Sequence, residues 1–553
     1  MLARDLDCCE RGVAILVKHQ PNCIVYEDDH LLVVNKPAGL NTHAPSPFAG
    51  EGIYEWLRHR QPSWATLATI QRLDKETSGI ILFSKSTLAN KSLTQQFESR
   101  KVEKEYLLLT DRSPSALAGR VHTGISRVGD KYIAGPIESA DTEAETWFTP
   151  AGKTSLGWLI KARPLTGRTH QIRVHAASRG CPLLGDVTYG GTPFGRVCLH
   201  AERLRFQHPL SRQPMEFCAP VDFGADVAAP LRTAVIDTQA TNAWRVWHAI
   251  PDRRPGWFVE RWGDWLLSQS ERDLTRSQVL ELKELGEKWN ITGAYHKRWL
   301  KSLRNQSFAE TSPSLLFCKE GASKESPRPF VITEHDVKFE ASFAEGYSVG
   351  IFLDQRENRR RFLQNHIAAG FPIRPQGLAG CEVLNTFAYT CGFSVCAALG
   401  GAKVTSLDLS KKYLDWGRRN FLLNGLDPSA HDFIFGDVFD WLQRFAKKGR
   451  KFEVIILDPP TFSQSKESGI WKAEQDYAKL VQAALPVLAS SGILLASTNA
   501  ATVKPEAFVS LVEATITSAG RKVLKRHYAP QPIDFPMNRE QPGYLKTLWL
   551  HIS

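Results

Sequence analysis

Asp74 is the only aspartate of the segment 72-RLDKETSG-79, where an arginine precedes it and a Thr-Ser-Gly turn follows it. The turn residues predict that Asp74 lies at the end of a loop leading into the apolar strand 80-IILFSKS-86. In that position an aspartate most often only caps the turn. An ionised carboxylate can also act as a nucleophile or a general base, so its function depends on the partners that the chain supplies.

A second segment, 167-GRTHQIRVH-175, supplies the candidate partner. We interpret it as a strand, and side chains two residues apart in a strand share one face. Gln171, Arg173 and His175 would then lie on the same side, and Arg173 would point into the cleft of Asp74. A guanidinium next to a carboxylate favours its ionised form and fixes its direction.

These segments, together with 36-KPAGL-40, 104-KEY-106 and 183-LLGDVTYGG-191, resemble the RluA-type pseudouridine synthases over about residues 22–220. The combination of RLDxxTSG with GRTHQIRVH is highly specific for that family. The resemblance implies isomerisation of uridine to pseudouridine in RNA. This reaction breaks the glycosidic bond, turns the uracil over and rejoins it through a ring carbon, and it needs neither a metal nor a cofactor.

The resemblance assigns roles to four residues. Asp74 corresponds to the catalytic carboxylate, and Arg173 corresponds to the arginine that pairs with it. Tyr106 corresponds to the tyrosine that packs against the target base, and Arg72 to the arginine that fills the space left by the flipped nucleotide. The nucleotide must be extruded because a base inside a duplex cannot reach a carboxylate of the protein. Taken singly, Tyr106 and Arg173 would be interpreted as an ordinary strand aromatic and a surface cation.

The elements that carry these residues are predicted to form a mixed, mainly antiparallel sheet. Residues 22–220 contain short β-rich runs separated by Gly, Pro and Asp turns. We assign residues 1–225 to the synthase domain. Residues 226–241 lack this alternation of β-rich runs and turns and are interpreted as a linker.

The rest of the chain predicts two further domains, so the fold class is a multidomain combination of α/β and α+β. Residues 242–340 are rich in tryptophan and are expected to form a small α+β domain, with a helix at 275–292 and an extended loop at 301–328. In residues 341–553, apolar runs alternate with amphipathic helical stretches. This alternation predicts a Rossmann-like, doubly wound parallel sheet, which binds ligands at the carboxyl ends of its strands.

Acidic residues follow successive strands of this second sheet. The first strand runs into the turn 383-VLNTFAYTCGF-393, and Asp408, Asp437 and Asp458 stand at the ends of the next three strands. Any one of them is equally well explained as a helix cap. The chain has neither G-x-G-x-x-G nor G-x-x-x-x-G-K-[ST] there, which argues against a dinucleotide and against a nucleoside triphosphate. Asp408 is placed where an acidic side chain can bind a ribose diol.

With 350-GIFLDQRENRR-360 and 457-LDPPTFSQSK-466, this pattern resembles the class I S-adenosylmethionine-dependent rRNA methyltransferases of the RlmI and RlmK/L group, over about residues 240–553. The resemblance implies S-adenosyl-L-methionine as the cofactor and RNA as the partner. Large-subunit ribosomal RNA is the first expectation, with transfer RNA as the alternative. Asp408 would bind the ribose hydroxyls of the cofactor, and Asp437 would lie near its adenine.

The remaining site residues follow from the same resemblance. The loop after the first strand faces the methionine part of the cofactor, and its assigned residues are Asn385, Phe387, Tyr389 and Gly392. Asp458, also assigned to the cofactor site, borders the target base. The residues assigned to the substrate are Gln355, Arg356, Pro459 and Pro460.

The methylated atom depends on whether a thiol is available, because a pyrimidine ring carbon needs a cysteine nucleophile whereas N7 of guanine is already nucleophilic. The positions where RNA cytosine-5 methyltransferases carry that thiol read PPTFS and LLASTNAA in this chain, without cysteine. Cys391 and Cys396 lie in the cofactor loop and its helix, where packing is the more frequent role. The sequence therefore favours guanine N7, and cytosine C5 is the alternative.

The bulk composition agrees with a folded, RNA-binding enzyme. The chain has 553 residues, enough for several domains, and a net charge of +11 that favours a polyanionic partner. Its ten cysteines are interpreted as reduced thiols, and no metal site is predicted. Neither a signal peptide nor a membrane span is indicated, so we expect a cytoplasmic protein. The sequence predicts a bifunctional RNA-modifying enzyme; the alternative is an RNA-binding or ribosome-assembly factor with only one active site.

Overall fold

The computed structural model describes residues 21–224, 227–299, 312–319, 329–344, 349–465 and 469–553. The chain forms two compact units. The first unit comprises Met1–His43 with Thr66–Asp237, and the second comprises Ala44–Ala65 with Thr238–Ser553. The boundary after Asp237 falls within the segment that the sequence marks as a linker.

The described residues form α-helices and β-strands throughout both units. The helices are α1 (Ile53–Arg58), α2 (Thr87–Glu98), α3 (Gln171–Ser178), α4 (Ala228–Val235), α5 (Arg276–Lys288), α6 (Arg356–Gln364), α7 (Gly392–Leu399), α8 (Lys411–Leu423), α9 (Val438–Lys447), α10 (Ala473–Ala484) and α11 (Pro505–Ser518). The strands of the first unit are β1 (Ile24–Glu27), β2 (Leu31–Lys36), β3 (Ala68–Thr69), β4 (Ser78–Ser84), β5 (Glu103–Thr110), β6 (Gly119–Val128), β7 (Lys131–Gly135), β8 (Glu143–Thr154), β9 (Gly157–Pro164), β10 (Leu199–Gln207) and β11 (Pro214–Cys218). Those of the second unit are β12 (Ala243–His248), β13 (Trp257–Trp262), β14 (Trp265–Ser270), β15 (Gly293–Arg298), β16 (Ser314–Cys318), β17 (Phe330–Glu334), β18 (Val337–Ala341), β19 (Glu382–Thr386), β20 (Lys403–Asp408), β21 (Asp432–Phe435), β22 (Phe452–Leu457), β23 (Phe462–Ser465), β24 (Gly469–Lys472), β25 (Leu488–Thr498), β26 (Val523–Pro530) and β27 (Lys546–Ile552). None of the described helices is both long enough and apolar enough to span a membrane.

One sheet organises the first unit. Its main order is β1-β2-β4-β10-β5-β9-β8-β6-β7, and β3 and β11 pair with β4 and β10. The strands pair antiparallel except β4 with β10, which are parallel. Apolar side chains of β2, β4 and β10, such as Leu31, Leu82 and Leu204, are buried in one cluster with Leu93 of α2. The predicted mixed, mainly antiparallel sheet is confirmed.

The segment 167-GRTHQIRVH-175 is a helix and not the strand that the sequence predicts. α3 begins directly after His170, whose backbone is left-handed at φ +57°. The side chain of Gln171 accepts a hydrogen bond from a backbone N–H of the preceding turn at 2.9 Å. In this helix Gln171 and His175 are about one turn apart, whereas Arg173 points to the opposite side. All three side chains are buried, so their alternation in the sequence does not mark a strand face.

A small sheet opens the second unit. Strands β12 to β16 lie in chain order, with β14 and β15 parallel and the other pairs antiparallel. The helix predicted at 275–292 is confirmed as α5, which begins with a capping box at Thr275. The prediction of an extended loop at 301–328 is wrong at β16, which pairs with β15. The rest of that segment, apart from residues adjoining β16, lies outside the described residues.

The larger sheet of the second unit has the order β21-β20-β19-β22-β25-β27-β26. Strands β19 to β22 and β25 pair in parallel, and β27 is antiparallel to both β25 and β26. The central parallel strands β19 and β22 are buried along most of their length, as in a sheet with helices on both faces. The predicted doubly wound sheet is confirmed. Its strand order reverses between β19 and β22, and the carboxyl ends of these two strands therefore border a crevice.

Residues 44–65 pack within the second unit although they interrupt the sequence of the first. Arg360 of α6 donates hydrogen bonds to the carbonyl oxygens of His59, at 2.9 Å, and Arg60. A ring nitrogen of His366 lies 3.1 Å from the Arg58 carbonyl oxygen. The end of α1 thus has partners for its carbonyl groups, which a helix cannot satisfy by itself.

Candidate active sites

Asp74 lies in the loop before β4, where the sequence predicts it. Its carbonyl oxygen accepts a hydrogen bond from the Thr77 N–H at 3.1 Å, which closes the turn. Gly79 has φ +115°, and a Cβ at this position would lie 2.2 Å from the Ala201 carbonyl oxygen of β10. The glycine therefore lets β4 pair with β10 immediately after the loop. The Asp74 side chain keeps 26% of its surface exposed, so it is accessible to a substrate.

Arg173 reaches Asp74, but its main partner is another carboxylate. Its Nη1 lies 3.5 Å from Asp74 Oδ2. Its Nε and Nη2 donate to the two oxygens of Asp186 at 2.7 and 2.8 Å, in a bidentate pair buried from solvent. Asp186 thereby orients the guanidinium and leaves one nitrogen for Asp74. The sequence points to this residue only as part of the GDVTYGG segment and assigns it no role.

His170 is a second neighbour of Asp74 that the sequence reasoning missed. Its Nε2 lies 3.9 Å from Asp74 Oδ2, and its Nδ1 lies 2.7 Å from the Tyr189 hydroxyl. That hydroxyl also accepts the Tyr132 N–H at 3.2 Å. Burial lowers the pKa of His170, although the charge of Asp74 opposes this shift. His170 belongs to the GRTHQIRVH motif, and its left-handed backbone distinguishes it from the other residues of that motif.

Tyr106 joins the same site through strand register. It pairs with Ala201 of β10, and Ala201 pairs with Gly79 of β4, so three strands bring Tyr106 towards the Asp74 loop. Burial first, and then the charge of Asp74, raise the pKa of the Tyr106 hydroxyl, which keeps its proton. The Arg72 side chain is exposed to solvent. The structure therefore brings Asp74, Arg173 and Tyr106 together, and the role of Arg72 stays a prediction.

Lys36 holds the KPAGL segment in place. Its buried ammonium group donates to the carbonyl oxygens of Pro37 at 3.0 Å, Leu40 at 2.7 Å and Lys75 at 3.3 Å. It therefore ties the KPAGL turn to the residue that follows Asp74. Burial lowers the pKa of Lys36 to about 7, although the charges of Glu76 and Asp74 act in the opposite direction.

In the second unit, Asp408 holds the loop that follows β19. Its two carboxylate oxygens accept the Tyr389 and Ser410 N–H groups, each at 2.8 Å. Burial raises the pKa of Asp408. In this loop Phe387, Tyr389 and Cys391 have left-handed backbones, a strained arrangement of a kind that clusters at ligand sites. A carboxylate has about four lone-pair sites, so Asp408 can accept ribose hydroxyls as well, and it fits the ribose of S-adenosyl-L-methionine.

Three other residues assigned to the cofactor also have structural roles within the protein. Asp437 is the N-cap of α9, and its carboxylate accepts the N–H groups of residues 439 and 440 at 2.8 and 3.2 Å. Asn385 donates to Ser394 Oγ at 2.9 Å. A Cβ on Gly392 would lie 3.3 Å from Arg359, so the glycine makes room for α6. These contacts explain the residues structurally, and their binding roles stay predictions.

The carboxyl end of β22 carries a polar cluster. Gln355 donates from Nε2 to Asp458 Oδ2 at 3.1 Å and to Ser497 Oγ at 2.9 Å. Asn358 in turn donates to Gln355 Oε1 at 2.6 Å. Burial first, and then the charge of Asp354, raise the pKa of Asp458 to about 7. The structure thus brings the predicted pair Gln355 and Asp458 together and adds Asp354, which the sequence reasoning did not assign.

Arg356 does not share the surroundings of its neighbour Gln355. It is buried, and its guanidinium donates to both oxygens of Asp534 at 2.9 and 2.5 Å. A guanidinium held in this way holds the fold together, and the substrate role of Arg356 stays a prediction. After Asp458, Pro459 is buried and Pro460 is exposed, which leaves Pro460 as the turn residue accessible to a base.

The thiols of the cofactor region are packed and protonated. Cys391 and Cys396 are buried, and neither forms a disulfide. Burial raises the pKa of Cys391 to about 12 and also raises that of Cys396. A Cβ on Gly417 would lie 2.3 Å from Cys391 Sγ, so α8 packs directly against this thiol. Both cysteines are therefore poor nucleophiles.

One group of side chains among the described residues has the composition of a metal site. It consists of Glu51, His59 and His527 in the second unit, whose ligand atoms lie within 4.8 Å of one another. Arg361 places Nη2 3.4 Å from His527 Nε2, and a fixed cation there opposes metal binding. Glu51 and His59 already pair at 2.6 Å. The cluster is explained as the contact that holds residues 44–65, and the prediction of no metal site stays a prediction.

Comparison with known proteins gives each part of the chain its own relatives. Residues 30–178 match a family model described as RNA pseudouridylate synthase, and residues 316–549 match one described as S-adenosylmethionine-dependent methyltransferase. Ribosomal large subunit pseudouridine synthase C of Yersinia pestis is 36% identical over 214 residues, which are 36% of this chain and 66% of the relative.

Two relatives match the C-terminal part. Ribosomal RNA large subunit methyltransferase I of Aeromonas salmonicida is 32% identical over 329 residues, which are 57% of this chain and 76% of the relative. Ribosomal RNA large subunit methyltransferase K of Neisseria meningitidis serogroup B is 42% identical over 172 residues, which are 31% of this chain and 45% of the relative. The chain thus spans less than half of the methyltransferase K relative and about two thirds of the synthase C relative.

Proposed function

We propose that this chain, which belongs to the RNA pseudouridylate synthases through its N-terminal part and to the S-adenosylmethionine-dependent rRNA methyltransferases through its C-terminal part, is a bifunctional RNA-modifying enzyme. It isomerises uridine to pseudouridine and methylates a base of RNA. The observation that carries the first activity is an accessible Asp74 facing Arg173, whose orientation Asp186 fixes. The second activity rests on the cofactor loop held by Asp408.

Asp74 performs the isomerisation at the ribose. Its carboxylate either attacks the glycosidic carbon or removes the proton from the sugar 2-position, and both routes release the uracil for rejoining through a ring carbon. Arg173 keeps the carboxylate directed at the sugar. Tyr106 packs against the extruded base, and Arg72, which is exposed, occupies the space that the nucleotide leaves. The net charge of +11 helps to hold the RNA.

S-adenosyl-L-methionine, bound at the carboxyl ends of β19 and β20, would supply an electrophilic methyl group. Asp408 would hold its ribose, and the loop with Asn385, Phe387 and Tyr389 would surround the methionine part. Asp437 would lie near the adenine. Gln355, Asp458 and Pro460 border the target base.

Guanine N7 is the proposed methyl acceptor. It has a free lone pair, so no residue has to remove a proton, and the product carries a positive charge that the carboxylates of Asp354 and Asp458 can stabilise. Cys391 and Cys396, buried with raised pKa values, do not supply the thiolate that cytosine C5 requires. Cytosine C5 remains the alternative product.

The substrate is large-subunit ribosomal RNA, because that RNA appears in the names of the synthase and methyltransferase relatives. Transfer RNA is the alternative substrate. We place this chain in the cytoplasm, a location that fits a ribosomal RNA substrate. An RNA-binding or ribosome-assembly factor with one active site is the second candidate, and it would retain RNA affinity while lacking one product.

The test incubates the purified chain with unmodified large-subunit RNA and methyl-labelled S-adenosyl-L-methionine. Nucleosides are then separated and identified by mass spectrometry. Pseudouridine and labelled 7-methylguanosine are expected together. Labelled 5-methylcytidine would overturn the choice of atom, and RNA without either product would overturn the bifunctional assignment. Transfer RNA is the matched control substrate.

A further inference from the structure

Isomerisation of uridine leaves one proton for which the roles above name no acceptor. After the uracil has rejoined the ribose through C5, that carbon carries both the sugar and its original hydrogen. The hydrogen must leave as a proton so that the double bond between C5 and C6 can form again. The question, which rests on the proposed synthase function, is which side chain of the first unit accepts this proton.

Two neighbours of Asp74 are poor acceptors. Tyr106 is half-buried, and burial together with the charge of Asp74 raises the pKa of its hydroxyl, so it holds its own proton. Arg173 is a buried guanidinium bound to Asp186, and it offers only N–H donors. Asp74 lies 3.5 Å from the Arg173 guanidinium, a neighbouring cation that opposes protonation of its carboxylate. A separate base is therefore needed on the same side of the cleft.

His170 has the required position and support. Its Nε2 lies 3.9 Å from Asp74 Oδ2, and about a quarter of its side chain is exposed. The Tyr189 hydroxyl, 2.7 Å from Nδ1, fixes the ring, and the Tyr132 ring lies 5.5 Å away at an angle of 70°. If Nδ1 carries the hydrogen and donates it to Tyr189, the lone pair of Nε2 faces the cleft. The charged groups around the imidazole are Asp74, Asp186 and Arg173.

The backbone at His170 has a left-handed conformation that is unusual for a residue other than glycine. A φ of +57° at a residue with a Cβ costs free energy, and such residues cluster at catalytic sites. Glycine or asparagine would adopt this conformation more easily. Burial keeps the imidazole neutral near physiological pH, and only a neutral imidazole can accept a proton.

We propose that His170 is the general base that removes the C5 proton of the rejoined uracil. The C5–H bond breaks and its electron pair forms the double bond between C5 and C6. In the rejoined uracil N1 is doubly bonded to C6, and the π electron pair of that double bond moves to N1, which takes a proton from water. The C5 proton goes to His170 Nε2, and the imidazolium, facing Asp74 and Asp186, returns it to solvent. The net change is a hydrogen lost from C5 and gained at N1, as an isomerisation requires.

Replacement of the C5 hydrogen by fluorine provides the test, because no proton can then leave C5. His170→Asn keeps a residue that tolerates the left-handed backbone, and its amide can still meet Tyr189. On uridine-containing RNA, pseudouridine formation is expected to fall by on the order of 10²–10⁴-fold. On RNA with 5-fluorouridine, the variant is expected to break the glycosidic bond and rejoin the ring through C5 at the wild-type rate.

Two further measurements make the outcome specific. With 5-deuterated uridine the variant is expected to show a primary isotope effect larger than that of the wild type, since removal of the C5 proton becomes rate-limiting. His170→Gly, which suits the backbone conformation, is expected to regain pseudouridine formation when imidazole is added. His122→Asn, on the exposed histidine that pairs with Glu143, is the matched control and should behave as the wild type.

An equal loss on both RNAs would overturn the proposal, because it would mean that His170 only positions Asp74. Absence of a larger isotope effect in His170→Asn would overturn it as well. If the wild-type protein acts on neither RNA, the proposed synthase function fails, and that result is distinct from a failure of the His170 variant alone. The circular dichroism spectrum and the thermal unfolding midpoint of each variant verify that its first unit is folded.

Discussion

At the scale of single residues, the synthase site depends on carboxylates with different tasks. Asp74 is partly exposed and accessible to a substrate, whereas Asp186 is buried and binds both remaining nitrogens of Arg173. Because Arg173 is held on one side, its position beside Asp74 does not rely on the long 3.5 Å contact between them. The chemistry of Asp74 therefore depends on a residue that does not touch the substrate.

Asp186→Asn is expected to reduce pseudouridine formation by about 100-fold, since a misplaced catalytic group costs about that much. The amide accepts only one of the two guanidinium bonds, so Arg173 loses its orientation and a buried charge loses its counterion. Asp111→Asn, at a carboxylate that bonds Thr192, serves as the control. The measurement is the single-turnover rate on saturating RNA. An unchanged rate in Asp186→Asn would show that Arg173 is positioned by other contacts.

The methyltransferase site has its own pair of acids, Asp354 and Asp458. Because the pKa of Asp458 is raised to about 7, its carboxyl group is protonated below that pH and ionised above it. If the ionised form stabilises a cationic product, methyl transfer should rise as the pH increases through about 7. The pH profile of single-turnover methyl transfer measures this, and a profile that falls over the same range would contradict the role.

Asp354→Asn should shift that profile to lower pH. It removes the negative charge that contributes to the raised pKa of Asp458, while its amide oxygen can still accept the Tyr544 hydroxyl bond found at 2.9 Å. Asp458→Asn should lose the pH-dependent rise altogether. If Asp354→Asn keeps the wild-type profile, another group is responsible for the titration.

At the scale of elements, close strand pairing positions the catalytic loop. Gly79 lies between the Asp74 turn and the body of β4, and its Cβ position is occupied by the Ala201 carbonyl oxygen of β10. Ala201 is in register with Tyr106 of β5. The same contact therefore fixes the loop that carries the carboxylate and the strand that carries the tyrosine.

Gly79→Ala is expected to destabilise the first unit by roughly 2–4 kcal/mol, because it combines a backbone clash with an unfavourable φ. The matched control is Gly129→Ala, at φ +59° with open space around its Cβ position, which should cost only about 1–2 kcal/mol. Urea denaturation, monitored through the loss of pseudouridine formation, measures the stability of both variants. Equal midpoints for the two variants would mean that β4 can move away from β10.

Sequence alone predicted the sheet of each unit, because strand periodicity is a local signal, and the resemblance to a known family placed Asp74, Arg173 and Tyr106 in one site. It did not predict α3, since a run of buried polar residues alternates in the sequence whether it forms a strand or a helix. It also missed Asp186 and His170. Their roles depend on contacts that only the folded chain creates, and the left-handed backbone of His170 has no signature in its residue type.

In the second unit, too, the sequence predicts the sheet better than it predicts the side-chain contacts. The succession of strands and acids predicted the doubly wound sheet, whereas the contact of Gln355 with Asp458 is seen only in the structure. Arg356 follows Gln355 in the sequence, but the helix α6 directs it to Asp534 instead. Adjacency in a motif therefore does not determine which side chains share a pocket.

At the scale of the whole molecule, two sites occur on one basic chain, and each lies within its own compact unit. A net charge of +11 attracts RNA without regard to sequence. Covalent linkage raises the effective concentration of the second site once the first has bound the same RNA, provided that both targets are within reach. If both targets lie within reach on one RNA, the chain would make two modifications in one binding event.

RNA affinity should fall steeply with salt. Each phosphate neutralised by lysine or arginine is expected to contribute a slope of about −0.7 to −0.9 in a plot of log affinity against log salt concentration. Filter binding or fluorescence anisotropy between low and physiological salt measures the slope. An affinity that does not change with salt would contradict charge-driven binding, and an uncharged protein of similar size is the control.

The central claim is that this chain has two independent active sites, each of which modifies RNA. The most direct measurement maps pseudouridine and methylated nucleotides by mass spectrometry in large-subunit RNA treated with the wild type, Asp74→Ala or Asp408→Ala. Asp74→Ala should abolish pseudouridine and leave methylation at the wild-type level, and Asp408→Ala should do the reverse. Loss of both modifications in either variant, or loss of neither in both, would contradict the claim.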